Sequence, residues 1–141
     1  MTLFEFTCYI NPPTKNEKDK LRVWSKTKNR YVYVVNSQYT NAWNSIKDQL
    51  YISRYNISYG RFKLLSPKDR NKLRKTLYEG NVSITIFNGF KRMDTSAFLH
   101  ELEDQLQGVV YKNDNCIKHV VIFKDDESPK EYFKIIVEEM E

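Results

Sequence analysis

The chain has 141 residues, 40% of them apolar and only four each Gly and Pro, so we expect one folded domain with a real core. No stretch approaches the roughly 20 apolar residues that span a bilayer, and Met1 to Ile10 lacks the basic region and long apolar core of a signal peptide. These absences exclude a membrane-spanning protein, and we expect a cytoplasmic one with no membrane partner.

The charge is unevenly distributed along the chain. Residues 1–100 hold 18 Lys and Arg against 7 Asp and Glu, whereas residues 101–141 hold 5 against 11, within a total of +5. Such asymmetry favours a polyanion-binding surface joined to a region that could hold cations. A well-solvated surface without any ligand would give the same totals.

Both cysteines, Cys8 and Cys116, fall in apolar, strand-like runs. They form neither a CxxC pair nor a Cys/His spacing of the kind that binds zinc. We therefore expect buried free thiols and no zinc site.

The first third of the chain predicts strands separated by a basic connection. Leu3 to Ile10 is rich in aromatic and β-branched residues and stops at Asn11-Pro12-Pro13, which is typical of a strand entering a rigid turn. Residues 15–30 carry seven basic side chains and little apolar material, which predicts a loop or a loose hairpin. Residues 31–35 predict a short strand.

The next segment, residues 36–51, predicts an amphipathic helix. Trp43, Ile46 and Leu50 stand at i, i+3 and i+7, which places them on one face at helical spacing. That face should pack on the core.

A second helix is predicted from Ser66 to about Gly80. Ser66 can cap it, Pro67 suits the first helical position, and Asp69 completes an approximate capping box. Apart from a thin apolar stripe the helix is cationic, and its basic residues are Lys68, Arg70, Lys72, Arg74 and Lys75. Most of its surface must therefore face solvent or a ligand.

The remainder predicts three strands and a third helix. Residues 81–87 alternate apolar and polar side chains, as in a half-buried strand. A helix at about residues 95–107 ends at Gly108, and strands follow at about 116–124 and 132–137. Strands mixed with about three helices predict a single α+β domain with a small mixed sheet.

Two acids flank the third helix. Asp94 precedes it and Asp114 follows it, and carboxylates at the ends of elements are typical ligands of a catalytic Mg²⁺. The helix is roughly 20 Å long at 1.5 Å per residue, so the acids meet only if residues 109–111 run back along it. Each acid also has an ordinary explanation: Asp94 as a helix N-cap and Asp114 as a turn residue.

Residues 92–106 and 108–117 resemble the core of the RusA family of Holliday junction resolvases. Family members carry D-x-D-N, then a helix with an early Lys and a later D-A-L, then G-x-x-Y/W-x-D-D-x-Q-V/I leading into a strand. Here the last segment is GVVYKNDNCI, and the Pro-rich turn at residues 11–16 is similar to the turn after the family's first strand. The resemblance implies a small homodimeric endonuclease that uses Mg²⁺, or Mn²⁺, to nick four-way DNA junctions in recombination and repair. Relatives of this family often occur in prophages.

Carried over by position, the resemblance makes Asp94 and Asp114 the catalytic metal ligands, with Asp94 at the first Asp of D-x-D-N or, in a shifted register, at the second with Arg92 at the first. The departures are Ser96 at the second Asp, Ala97 at the Asn, His100 at the Lys and Asn113 at the first Asp of the D-D pair. Ser96 is a poorer ligand, so Glu101 or the carbonyl of Asn113 could replace the missing carboxylate. His100 could contact the scissile phosphate in place of the Lys, or could simply face solvent.

The basic side chains fit a DNA partner, because phosphate neutralisation needs several Lys and Arg on one surface. The candidates are Lys15, Lys18, Lys20, Arg22, Lys68, Arg70, Lys72, Arg74, Lys75, Lys91 and Arg92. Nearby aromatic residues could stack on unpaired bases or could belong to the core, and these are Trp24, Tyr31, Tyr33, Tyr59 and Phe62.

Three hypotheses follow. The first is an active RusA-like resolvase, and the second is a protein of that fold that binds branched DNA without cutting it. The third is an interaction protein whose basic helix, residues 67–78, meets an acidic protein surface.

Overall fold

The structure is a computed structural model that describes residues 1–13, 21–34, 37–91 and 96–140. In chain order its strands are β1 (Thr2–Cys8), β2 (Leu21–Ser25), β3 (Arg30–Val34), β4 (Val82–Asn88), β5 (Ile117–Lys124) and β6 (Phe133–Glu139). Its helices are α1 (Ser37–Tyr55), α2 (Tyr59–Leu64), α3 (Pro67–Arg74) and α4 (Ser96–Leu106), and a 3-10 turn covers Asp114–Cys116. This mixture confirms the predicted α+β class.

Alternating apolar residues build a four-stranded sheet with the order β1-β6-β4-β5. Strands β4 and β5 are parallel, and the other neighbours are antiparallel. One face of the sheet is buried, because every second side chain of a strand points to the same side. The buried apolar side chains are Phe4, Phe6, Cys8, Val82, Ile84, Ile86, Phe133, Ile135 and Val137, and the polar Asn88 at the end of β4 is buried as well.

Helices α1 and α4 supply the other half of the core. Trp43, Ile46 and Leu50 of α1 are all buried, which confirms the predicted apolar stripe. Leu102 and Leu106 of α4 join them in the same cluster. Helix α4 ends at Leu106, and Gly108 follows it with a φ of +82°, in the left-handed region that favours glycine, so Gly108 marks the helix end as predicted.

The second predicted helix is shorter than expected, and a further helix precedes it. Helix α3 ends at Arg74 rather than near Gly80, because the backbone N–H of Tyr78 donates to the Val110 carbonyl at 2.9 Å. That bridge draws the chain out of the helical path. Helix α2 was not predicted, since six residues with one buried side chain, Phe62, give no measurable periodicity.

The basic connection forms a hairpin where it is described. Strands β2 and β3 pair antiparallel as a separate two-stranded sheet, which confirms the hairpin alternative for residues 21–30 and the strand predicted after them. Residues 14–20 lie outside the described residues. Among the described helices, none combines the length and apolar character that a membrane crossing requires.

Candidate functional site

Asp114 lies beside the C-terminal half of α4. It opens the 3-10 turn, and its backbone N–H donates to Oε1 of Gln107 at 3.3 Å. Residues 108–110 form a tight turn and do not run back along the helix, because the N–H groups of Val109 and Val110 both donate to the Leu106 carbonyl. The start of α4 at Ser96 is about 10 Å from Glu103 along the axis at 1.5 Å per residue. Asp114 is therefore placed at the far end of α4 from Ser96.

Glu103 is an acid near Asp114 that the sequence reasoning missed. Burial raises the pKa of its carboxyl, and the negative charges of Asp114 and Asp104 raise it further, whereas His100 lowers it. Asp114 and Asp104 are thus close enough to Glu103 for their charges to raise its pKa. The sequence shows that Glu103 stands one helical turn before Gln107. It does not show that the turn after α4 brings Asp114 to the same side of the helix.

His100 belongs to the same face of α4 and is exposed. Its Nε2 lies 3.7 Å from Oδ2 of Asp104, one helical turn later. Exposure of His100 fits both alternatives, a contact with phosphate and a side chain that simply faces solvent. His119, on β5, is also exposed.

The other predicted metal ligands have different surroundings. Glu101 accepts a hydrogen bond from Nε2 of Gln105 at 3.4 Å. Burial raises the pKa of Tyr39 on α1, and the negative charge of Glu101 raises it further. The side-chain oxygen of Asn113 caps the 3-10 turn by accepting from the N–H of Asn115 at 2.9 Å. Asp94 lies outside the described residues, as does the side chain of Ser96. Within the described residues no three His, Cys, Asp or Glu side chains form a group that could hold a metal ion.

A second candidate site is the basic surface of α2 and α3. Ser58 and Ser66 cap the two helices by accepting from backbone N–H groups, each at 3.2 Å, so two short helices begin at defined points. Their cations are Arg61, Lys63, Lys68, Arg70, Lys72, Arg74 and Lys75, called here the α2–α3 basic surface. Helix α3 contributes no buried residue, as its thin apolar stripe predicted. Asp69 is the one acid in residues 59–75.

Aromatic rings lie beneath this basic surface. Tyr51, Tyr55, Tyr59 and Phe62 form a chain of ring contacts between α1 and α2, with centroids 4.8 to 6.0 Å apart. Lys63 lies over the Tyr59 ring at 4.8 Å and Arg74 over the Phe62 ring at 6.0 Å. Such cation–π contacts hold the two cations against the rings without neutralising their charge. Phe62 is buried, so the core alternative is confirmed for it.

Arg54 braces the same region and was not foreseen. Its Nε donates to the Val109 carbonyl at 3.1 Å, and its Nη2 donates to the carbonyl and hydroxyl oxygens of Thr76 at 3.1 and 3.2 Å. This one side chain ties α1 to the segment after α3 and to the turn after α4. Its charge is thus used for folding, in contrast to the cations of α3.

A cleft of about 650 Å³ opens beside the end of α3. Arg74, Lys75 and Lys112 line it together with Asn71, Leu77 and Glu79. Nζ of Lys112 pairs with Oε1 of Glu79 at 3.3 Å. The other two cations that line the cleft, Arg74 and Lys75, form no ion pair with a described residue. The cleft extends the positive surface toward residue 112.

The remaining predicted DNA contacts are only partly described. Lys91 is exposed in the turn after β4. Lys15, Lys18, Lys20 and Arg92 lie outside the described residues, as does the side chain of Arg22. On the hairpin, the rings of Trp24 and Tyr31 are exposed rather than buried.

The chain was compared with protein families, curated proteins and solved structures. No family model and no curated protein matches the chain. Solved structures that match include 2C-methyl-D-erythritol 2,4-cyclodiphosphate synthase from Plasmodium vivax, at 13% identity over 97% of this chain and 95% of that chain, with a TM-score of 0.37. IspF from Plasmodium falciparum, in a CDP complex, matches at 16% identity over 84% of this chain and 86% of that chain, with a TM-score of 0.33. TM-scores this low establish no shared fold, so nothing is carried over from these enzymes.

The identification with the RusA family is wrong. No family model matches the chain, and the two solved structures named above are synthases. The Mg²⁺-dependent junction resolvase, its non-cutting alternative and the prophage source are corrected with it. The physical reason lies in residues 108–117, whose Gly108, Val109, Val110 and Tyr111 serve a tight turn and its packing. What remains is a charged surface whose chemistry can be argued from its own residues.

Proposed function

We propose that this protein binds nucleic acid through the α2–α3 basic surface. One observation carries the proposal: seven cations meet one acid on a helix pair, and in the described part of the chain none of the seven forms an ion pair. Folding needs no such concentration of charge, because like charges one helical turn apart destabilise a helix. A polyanionic ligand would neutralise it.

The spacing along α3 suits a phosphate backbone. Lys68, Lys72 and Lys75 stand at i, i+4 and i+7, so they share one face of the helix and all three are exposed. Lys68 and Lys75 are about 10 Å apart along the axis, which corresponds to roughly three steps of one DNA strand at 3.4 Å each. These three lysines would contact neighbouring phosphates of one strand.

The cations over the aromatic rings would add a second line of contacts. Arg74 and Lys63 are held by Phe62 and Tyr59, so less side-chain freedom is lost when they meet a phosphate. Arg74 also lines the cleft beside α3, where Lys75 and Lys112 would receive the continuation of the strand. Nothing in this arrangement selects a base sequence, since phosphate contacts are independent of sequence.

The test is a binding titration with a matched pair of double variants. Lys68→Gln with Lys72→Gln removes two charges from α3, and Lys118→Gln with Lys130→Gln removes two from exposed positions elsewhere. Fluorescence anisotropy is measured with a single strand, a duplex and a four-way junction over a range of salt concentrations. We expect the α3 pair to lower the slope of log affinity against log salt by about 1.4 to 1.8, at 0.7 to 0.9 per phosphate contact, and the control pair to leave it unchanged.

Equal effects of the two double variants would refute the proposal, because general electrostatics would then explain binding. Binding to an acidic protein but to none of the nucleic acids would favour the interaction hypothesis instead. The junction arm also tests the predicted branched-DNA partner: that prediction fails if the junction binds no tighter than the duplex.

Two further predictions belong with this proposal. A homodimer is tested by sedimentation of the free protein, and a monomer at all concentrations would reject it. Mg²⁺ or Mn²⁺ at Asp94 and Asp114 is tested by thermal unfolding with and without the metal, compared with Asp114→Asn. The described carboxylates do not form a complete ligand set, so no step of the proposed function depends on a metal.

A further inference from the structure

The β2–β3 hairpin presents two aromatic rings to solvent. Trp24 and Tyr31 are paired across the strands, and their side chains are 52% and 55% exposed. Their ring centroids lie 5.1 Å apart with an angle of 79° between planes. Large aromatic side chains contribute most to stability or binding when they are buried, so an exposed pair is a candidate ligand-binding surface.

The geometry of the pair leaves ring surface available. In an edge-to-face contact, one ring offers an edge and the other offers one face, and about half of each side chain, 52% of Trp24 and 55% of Tyr31, stays exposed to solvent. The contact also fixes both rings relative to each other, because the strands that carry them are in register at this pair. A flat ligand could therefore dock on a preformed aromatic surface.

The hairpin is cationic where it turns. Lys26, Lys28 and Arg30 are exposed, and residues 21–34 contain no acid. The turn has a defined shape, because the N–H of Lys28 donates to Oγ of Ser25 at 3.2 Å and Asn29 adopts a φ of +51°. Positive charge thus lies within a few residues of the two exposed rings, Trp24 and Tyr31.

Cations beside solvent-exposed aromatic rings match a ligand that is both anionic and aromatic. Single-stranded nucleic acid has this chemistry, because unpaired bases stack on aromatic side chains while Lys and Arg follow the phosphates. In a duplex the base faces are already covered by neighbouring bases. A membrane surface also attracts Trp, Tyr and Lys, but among the described side chains of the hairpin Val23, at 39% exposure, is the one further exposed apolar group to insert.

We propose that the Trp24–Tyr31 pair stacks on an unpaired base of a nucleic-acid strand while Lys26, Lys28 and Arg30 contact adjoining phosphates. The inference rests on the proposed function and narrows its ligand to single strands or unpaired segments. The hairpin supplies base stacking, and the α2–α3 basic surface supplies phosphate contacts.

Intrinsic fluorescence tests this directly, because the chain has two tryptophans in opposite environments. Trp24 is 52% exposed whereas Trp43 is 3% exposed. We expect oligo(dT) to quench the emission of the intact protein and to shield it from iodide, and we expect Trp24→Phe to abolish both changes. A duplex of the same length should change the emission little.

Affinity measurements separate stacking from mere folding of the hairpin. Trp24→Leu and Tyr31→Leu should each weaken oligo(dT) binding by roughly 5- to 150-fold, the range for loss of one base–aromatic stack. Trp24→Phe should retain most of the affinity, because a ring remains. Val23→Ala, on the same strand, is the matched control and should leave binding unchanged.

The outcomes distinguish this inference from the function on which it rests. Equal oligo(dT) affinity of Trp24→Leu, Val23→Ala and the unaltered protein would overturn the stacking role and leave the α2–α3 proposal standing. Quenching at Trp24 that is unaffected by Lys68→Gln with Lys72→Gln would support the hairpin and reject the α2–α3 basic surface. No binding of any nucleic acid would reject both, and a blue shift of Trp24 with anionic phosphatidylserine vesicles but not with oligo(dT) would identify a membrane contact instead.

Discussion

The sharpest consequence of the structure is that Lys68→Glu should stabilise the fold while weakening ligand binding. Lys68 follows Pro67 in the first turn of α3, where the N-cap is Ser66. A cation there opposes the partial positive charge of the helix N-terminus, whereas an acid favours it by about 0.3–1 kcal/mol. Glu at this position also converts repulsion with Lys72, one turn later, into an attraction, each worth about 0.2–0.5 kcal/mol.

Together these terms raise the free energy of unfolding by about 1 kcal/mol, which urea denaturation can resolve. Affinity for a nucleic acid should fall in the same variant, with a salt slope smaller by roughly 0.7 to 0.9. Lys118→Glu is the control, because it makes the same change of charge on an exposed strand position and should alter neither quantity.

Opposite signs for stability and binding are the informative result. A helix whose cations served only to solvate the surface would gain stability on this substitution and lose nothing. Loss of stability in Lys68→Glu would refute the electrostatic account of α3, and unchanged affinity would remove Lys68 from the interface.

Three further predictions concern folding. Arg54→Met should lower the free energy of unfolding by about 1–3 kcal/mol, since charged hydrogen bonds to carbonyl oxygens are lost, and urea denaturation beside a Lys47→Met control measures it; a smaller change than the control would contradict the bracing role. Gly108→Ala should lower the free energy of unfolding by about 1–2 kcal/mol, because a residue with a Cβ is strained at the left-handed φ of +82°. The added Cβ would meet no atom within 4 Å, so the cost comes from the backbone and not from a clash. Gly108→Asn should therefore cost less, and equal costs would contradict a backbone origin. Burial raises the pKa of Tyr51 to about 12, so unfolded tyrosine ionises first and stability should fall as pH rises from about 10 to 12; Tyr51→Phe should flatten that fall, as followed by circular dichroism.

Local pattern was sufficient to predict most elements of this fold. The stripe of α1 and the alternation of β4 are fixed by burial on one side, and both elements form where expected. The position of β6 between β1 and β4 could not be predicted, because strand pairing across the whole chain leaves no periodic trace in the sequence. Helix α2 was not predicted for a different reason, since six residues are too few to show a helical period.

Of the candidate sites, too, the sequence predicted one part and could not predict another. The cations of α3 were predicted from the sequence, because a helix with so thin an apolar stripe must expose its charges. The bracing role of Arg54 could not be predicted, since its acceptors are 22 and 55 residues away in the chain. The same holds for Glu103, which becomes a neighbour of Asp114 only through the turn that follows α4.

The segment that carried the family resemblance shows why a short match can mislead. Gly108 provides the left-handed residue that ends α4, and Val109 and Val110 are buried against the core. The Tyr111 hydroxyl donates to the Glu103 carbonyl at 2.7 Å, and Asn113 caps the next turn. A helix, a glycine stop, a buried pair and a capped turn into a strand is a packing solution that unrelated proteins can reach with similar residues. The position of Asp114 in such a segment is explained by the turn, so function has to be argued from the charges that folding does not use, and those lie on α3 and the hairpin.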